Sequence, residues 1–369
     1  MFGRILALIM KEILAMWQDK KSRVVLIVPP VVQLIAFSLA ATMEVKEVNL
    51  AVLNRDSGYA SRELIQRFAG SPTFAQIHMY YSEEAIRTAI DTQTALLAIQ
   101  FDPEFSRDIA QGRPASMQMI LDGRRSNAAQ LVQGYVQRIV GEFNEDLLKQ
   151  SGHPGLPSTV IARSWFNPNL DYQWFTVPSL VGILTMLIAL VVTALSVARE
   201  RELGTFDQLL VSPLRPFEIL LGKTVPALII GYIEGTVIIL ATVFLFHVPL
   251  TGNVFFLYGA MGAFLASIIG VGLFISALCK TQQQAILGVF TFMAPAVLLS
   301  GFATPVENMP DWLQPVATAN PLKHFLVILK GIFLKDMPAQ AVWANTLPMI
   351  IIAAITLTTA AWLFRRRLE

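Results

Sequence analysis

Gly222-Lys223-Thr224 ends the way a phosphate-binding loop ends, with a lysine and a hydroxyl that would hold nucleotide phosphates and magnesium. That chemistry needs a further glycine at position 217, and the residue there is Phe217. No strand pattern precedes the triplet and an apolar run follows it, so it is not read as a nucleotide site. The histidines at 78, 153, 247 and 324 are scattered, and no HExxH, CxxC or GxSxG pattern occurs. Asp122 with Arg124 and Arg125 reads as a solvated turn, and His78 stands alone in a strand pattern. One acid stands out. Glu234, in Gly-Tyr-Ile-Glu-Gly-Thr, lies inside an apolar run, ~16 Å beyond Lys223 at helical rise. An acid within a membrane span is a functional-site hypothesis by default; a carboxyl satisfied by a neighbouring helix is the structural alternative.

The elements that must hold such an acid are long and apolar. The chain has 369 residues, 54% hydrophobic and 15% charged, where soluble domains carry about a quarter charged. Six runs qualify as membrane spans: about 24–43, 175–198, 226–246, 255–278, 285–303 and 345–364. With the N-terminus inside, the inner flanks hold Arg4, Lys11, Lys20, Lys21 and Arg23; Arg199, Arg201, Arg215 and Lys223; Lys280; and Arg365 to Arg367. The loop at 247–254 has no Lys or Arg, and 301–344 has only Lys323, Lys330 and Lys335. This asymmetry predicts both termini in the cytoplasm. Pro295 falls inside the fifth run, where it would kink a helix. In the fourth run, Gly259, Ala263 and Ser267, with Gly262, Ala266 and Gly270, make rows of small residues for close packing within the bundle.

Residues 44–172 differ in composition. They hold twelve of the 28 Lys and Arg and most of the acids. Apolar alternation and turn signals predict β-α-β-α-β-α-β and a long final helix: a small α/β domain on the outside, entered at 44 and left through a loop at 151–160. Ser82 with Glu83 and Glu84 is a helix start. Trp165, Tyr172 and Trp174 mark the return to the membrane. The single cysteine, Cys279, excludes an intrachain disulfide. Residues 1–23 predict an interfacial amphipathic helix with Phe2, Ile5, Leu6, Ile9, Ile13 and Trp17 on one face. Ser38-Leu39-Ala40 loosely resembles a signal-peptidase site, but the apolar run before it is too long, and an uncleaved anchor fits better.

The second run ends in Arg199-Glu200-Arg201-Glu202. The arginines suit an inner surface; the glutamates need another reason. Either they present a short amphipathic segment to a cytosolic partner, or they cap helix ends. Here the sequence resembles a family. SVARERELGTFDQLLVSPLRPFEILLGK, followed by LLSGFATPVENMPDWLQPVATANPLKHF at 298–325, is similar to the type-2 ABC exporter permeases, and the likeness runs the full length.

That resemblance implies a polytopic α-helical membrane protein of the bacterial inner membrane. It would have six transmembrane helices, with an α/β extracytoplasmic domain (44–172) inserted between the first (24–43) and the second. The five later spans would lie in 173–369. It implies multidrug-type efflux by a dimer with a second permease, homomeric or sister. A separate cytosolic ATPase would bind ATP and magnesium, so this chain would be neither an enzyme nor a cofactor binder. Coupling to the ATPase, through a loop at 199–225, falls to Arg199, Glu200, Arg201, Glu202, Gly204, Thr205, Gln208, Leu209 and Leu210. Glu234 and Pro295 are transport-path candidates. Pro305, Asn320 and Pro321 belong to an outside re-entrant hairpin at about 302–330. A periplasmic adaptor is a further partner by analogy, and nucleic acid is not implied. An ion-coupled secondary transporter and a membrane-embedded sensor are the alternatives. The first has thin support in one Glu and one Pro; the second lacks room for a cytosolic output domain.

Overall fold

The computed structural model describes residues 2–18, 20–40, 48–122, 124, 126–150, 167, 171–205 and 216–366. The chain divides into two compact units, Thr42–Arg163 and Met1–Ala41 with Ser164–Glu369.

The smaller unit is an α/β layer structure. Strands β1 (Val48–Asn54), β2 (Phe74–Met79), β3 (Leu97–Phe101) and β4 (Met117–Leu121) form one sheet in the order β2-β1-β3-β4. β1 runs parallel to both neighbours, and β4 closes the far edge antiparallel to β3. Central strands buried on both faces need apolar residues at successive positions. Accordingly Leu50, Ala51, Val52 and Leu53 are all at most 1% exposed. The pleat sorts them. Leu50 and Val52 join Leu97, Ile99 and Phe101 in a large core under α3 (Tyr59–Ala69) and α6 (Ser126–Gln150). Ala51, Leu53 and Ala98 face the other way, where small residues let α4 (Glu83–Asp91) sit close through Ile86 and Ala89. The Ser82 hydroxyl accepts from the Ala85 N–H at 3.2 Å, capping α4 with two acids in its first turn. α5 (Phe105–Ala110) follows β3. The predicted loop at 151–160 and Trp165 lie outside the described residues.

The loop after β1 is pinned by Asp56. Its carboxylate accepts from the Ser106 hydroxyl and from the Gly58 N–H, while the Ser106 oxygen accepts from the Ala60 N–H at 3.0 Å. Burial alone would raise the Asp56 carboxyl. The hydrogen bonds from Ser106 and Ser61 outweigh it and hold it below its ordinary 3.8.

The larger unit is helical: α1 (Phe2–Gln18), α2 (Lys20–Ala40), α7 (Tyr172–Glu202), α8 (Pro216–Phe244), α9 (Val254–Leu278), α10 (Gln282–Leu298), α11 (Gln314–Thr318), α12 (Pro321–Lys335) and α13 (Ala339–Arg366). Among the described residues four helices are long and apolar enough to cross a membrane: Tyr172–Glu202, Phe217–Phe244, Val254–Leu278 and Ala339–Leu363. The fifth expected span falls on α10, whose 17 residues rise only ~25 Å. The first falls on α2, which contains a shorter apolar stretch, Ile27–Ser38.

α7 is the axis of this unit. It is apolar all round and buried from Thr176 to Ala194, as a helix wrapped by others must be. It packs against α2, α8, α9, α10 and α12. Gly272 of α9 makes one approach possible, since a Cβ there would stand 1.8 Å from Thr193 Oγ1. One turn on, the Ser276 hydroxyl donates to the Ala194 carbonyl at 2.6 Å and accepts from the Ala198 N–H at 3.2 Å. It thereby bridges a donor and an acceptor that an undisturbed helix would pair with each other.

Replacing Asp56 by Ala should open the β1–α3 turn. Amide exchange at Gly58 to Ser61 in the full-length chain should quicken by roughly 5- to 150-fold near pH 7, from a lost charged acceptor worth about 1–3 kcal/mol. A carboxyl lowered by folding stabilises fully above its unfolded value and less as pH falls. The gap between variant and parent should therefore close as pH drops below 3.8. A gap that persisted there would refute the assignment.

Candidate functional site

Lys223, from the false phosphate loop, sits in a charge cluster joining three helices. Its ammonium lies 3.0 Å from Glu12 Oε1 of α1 and 2.8 Å from Glu200 Oε2 of α7. The second contact is an ion pair. Lys223 also donates to the Ser196 hydroxyl at 3.0 Å, and that hydroxyl donates to Glu12 Oε2 at 3.2 Å. Lys11, half exposed, closes the set by donating to Glu200 Oε1 at 2.6 Å. Two carboxylates meet two ammoniums, so the cluster is neutral. Glu12, Glu200 and Lys223 are each under 9% exposed. Gly222 belongs to the same joint, because a Cβ there would lie 2.7 Å from Leu8 Cβ, and its absence lets α1 rest on α8. The GKT triplet is therefore a helix-packing device.

The neighbouring charges have different tasks. Arg201 donates to the carbonyls of Ala277 and Cys279, at 2.9 and 3.0 Å, where α9 ends with unpaired carbonyls. Glu202 Oε2 accepts from the Gln282 N–H at 2.9 Å, at the positive start of α10. The Arg-Glu pair thus straddles the α9–α10 turn, each charge at the helix end of opposite sign. Gly204, at φ +69, then ends α7. The Thr205 N–H bonds the Glu200 carbonyl and the Gly204 N–H bonds that of Arg201, the paired pattern of a Schellman cap.

Of the residues expected to face a partner, Glu200 is turned inward, while Glu202 and Leu203 remain exposed beside the cap. Gln208, Leu209 and Leu210 lie outside the described residues. α1 also differs in detail from its predicted face. Its exposed apolar stripe is Leu6, Met10, Leu14 and Trp17, each about one turn from the next, and Glu12 is on the covered side.

The other expected residues do not converge on this cluster. Glu234 is half-buried in α8 and Pro295 is exposed on α10, which packs on α7 rather than α8. Asn320 caps α12, its Oδ1 accepting from the Leu322 N–H at 3.1 Å. Its amide donates at 2.6 Å to the Ala296 carbonyl near the end of α10. Pro321 fills the first helical position, where a missing N–H costs nothing. Pro305 precedes the short 3-10 turn Val306–Asn308. Lys330, counted in the sequence only as a charge of the 301–344 segment, lies 3.7 Å from the centroid of the Phe175 ring, and Phe175 stacks on Phe302. Aromatic residues at the start of an apolar run were its only trace in the sequence.

A helical unit in which four helices, among the described residues, are long and apolar enough to cross a membrane has the build of a membrane subunit. The sequence model of the ABC-2 family transporter proteins matches residues 20–362. The chain belongs to this family. It is 45% identical over 367 residues to the probable multidrug ABC transporter permease YbhR of Escherichia coli K12, covering 100% of both chains. It is 29% identical over 371 residues to the probable multidrug ABC transporter permease YbhS of the same strain, across 99% of this chain and 98% of the other. The inner membrane transport permease YhhJ, also from that strain, is 30% identical over 335 residues, or 89% and 88% of the two chains. Within this ABC-2 chain, the ion cluster is what fixes α1 against α7 and α8.

Removing one partner of a buried ion set leaves its counter-charges stranded, at ~3–5 kcal/mol. Lys223→Met should therefore lower the thermal midpoint of the detergent-solubilised chain sharply. Adding Glu12→Gln and Glu200→Gln to it should recover most of the loss. A triple variant no more stable than Lys223→Met would show that the ions do not act as one group.

Proposed function

We propose that the chain is the permease subunit of an ATP-driven exporter of hydrophobic or amphipathic compounds. Full-length 45% identity to a probable multidrug ABC transporter permease carries this reading. It works in the inner membrane, dimerised with a second permease and driven by a separate cytosolic ATPase that holds ATP and magnesium. α2 and α10 join the four long helices to make six crossings. α2 exposes Val24, Ile27, Val28, Val31 and Ile35 as a lipid-facing helix would. The α/β unit lies outside and both termini lie inside, as the Lys and Arg asymmetry supports. α1 rests in the inner interface on Leu6, Met10, Leu14 and Trp17. An adaptor on the outer unit is an additional partner by analogy.

The end of α7 transmits the ATPase stroke. Arg199, Glu202, Leu203, Gly204 and Thr205 lead into the cytosolic loop of Gln208, Leu209 and Leu210. Glu200 acts behind them as a positioning residue, locking α7 to α1 and α8 so that a push on one moves all three. Glu202 and Arg201 carry the motion to α9 and α10 through the turn they cap. Pumping then requires two states with different substrate affinities on the two sides. Glu234 and Pro295 stand along the path, and Pro305, Asn320 and Pro321 shape its outer hairpin.

Two substitutions examine this. Glu202→Lys should cut ATP-driven dye efflux roughly ten-fold, the loss of about 1.4 kcal/mol of coupling, while the permease still reaches the membrane; undiminished efflux would remove the coupling role. Glu234→Gln should weaken export of cationic dyes more than neutral ones. Equal effects on both would argue against any charge role for Glu234.

A further inference from the structure

α10 and α13 stand apart over α9 and leave an open furrow of about 730 Å³. Its floor is Val271, Phe274 and Ile275; Leu287 and Thr291 form one wall, and Ile355 and Thr359 the other. The volume lies in the range of small-molecule sites, ~300–1,000 Å³. What distinguishes the furrow is its hydrogen-bonding chemistry. Thr291 donates to the Leu287 carbonyl at 2.8 Å, Thr359 to the Ile355 carbonyl at 2.7 Å, and Thr356 to the Ser267 carbonyl at 3.2 Å. Each lining hydroxyl spends its proton on a helix carbonyl, so the walls offer an occupant mainly hydrocarbon.

One end is different. Gln284 lines the furrow there, and its Oε1 accepts from the Lys280 N–H at 2.9 Å, which leaves its amide nitrogen as a donor. Lys280 itself is exposed beside it. The furrow is therefore apolar along its length and has an exposed lysine beside one mouth, complementary to an amphiphile with an anionic head.

We propose that this furrow holds an acyl chain of an anionic phospholipid, whose phosphate meets Lys280 and the Gln284 amide at its mouth. The lysine end faces the cytoplasm in the reading given above, so the inner leaflet supplies the lipid; only the choice of leaflet rests on that reading. Such a lipid would wedge α10 away from α13 and fill a gap that the protein leaves open. An anionic head is attracted to basic residues at a membrane surface, each worth a several-fold preference.

The test uses the full-length chain, solubilised in a mild detergent and equilibrated with phosphatidylglycerol and phosphatidylcholine of identical acyl chains. Native mass spectrometry counts the lipids retained. The parent chain should keep phosphatidylglycerol over phosphatidylcholine. Lys280→Glu, at an exposed position, should reduce that preference roughly ten-fold. Thr291→Trp and Thr359→Trp fill the furrow from opposite walls and should each lower retention of both lipids, with unchanged gel-filtration profiles as the folding control. Equal retention of the two headgroups by the parent, or full retention in both Trp variants, would overturn the proposal. Displacement of the lipid by an exported dye would overturn it too, making the furrow a substrate site. Loss of the exporter reading would appear instead as absent ATP-driven efflux, without altering these lipid counts.

Discussion

Moving a carboxylate or an ammonium out of water costs several kcal/mol even after relaxation, unless a partner of opposite sign is held at contact distance. Lys223, Glu12 and Glu200 all meet that cost at one point, each on a different helix. The constraint is geometric as much as energetic. A ring of contacts at 2.6–3.0 Å admits one rotation and one height for α1 against α7 and α8. A hydrophobic joint of the same area could slide; this one cannot without stranding a charge. Gly222 allows the backbones to come close enough for the ring to close.

From that anchor the end of α7 becomes an organiser. Ser276 locks into its backbone at Ala194 and Ala198, Arg201 takes the loose carbonyls of α9, and Glu202 takes an N–H of α10. Four helices therefore meet at a segment of about two turns, directly before the exposed cap at Gly204. In the exporter reading proposed above, force applied at the exposed cap would pass to α1, α8, α9 and α10 through short polar contacts rather than through a yielding apolar surface.

Much was legible in the sequence because local rules suffice for it. Alternating and continuous apolar runs at 48–122 specify strands that must bury one or both faces, and the Ser82-Glu83-Glu84 start is a capping pattern contained within four residues. Of the small residues in the fourth run, Gly262 packs against Tyr232 and Gly270 against Thr356, while Gly259 is exposed with nothing packed on it. The family likeness, carried by two long stretches, agreed with the match across residues 20–362. Harder to read were lengths near the limit. The apolar run at 285–303 crosses a helix end at Leu298, because the composition continues where the helix stops.

The sequence alone determined that long apolar helices alternate with charged flanks, that a polar α/β segment interrupts them, and that no nucleotide loop is present. It could not assign the glutamates of Arg199 to Glu202, since their partners stand on other helices: Gln282 lies 80 positions from Glu202, and Glu200 meets Lys11, 189 positions away, as well as Lys223. Only the tertiary structure separated them: Glu200 inward to Lys11 and Lys223, Glu202 onto the start of α10. The physical reason is that hydrophobic periodicity is a property of neighbours along the chain. The pairing of a buried charge is settled by whichever helix folding brings against it.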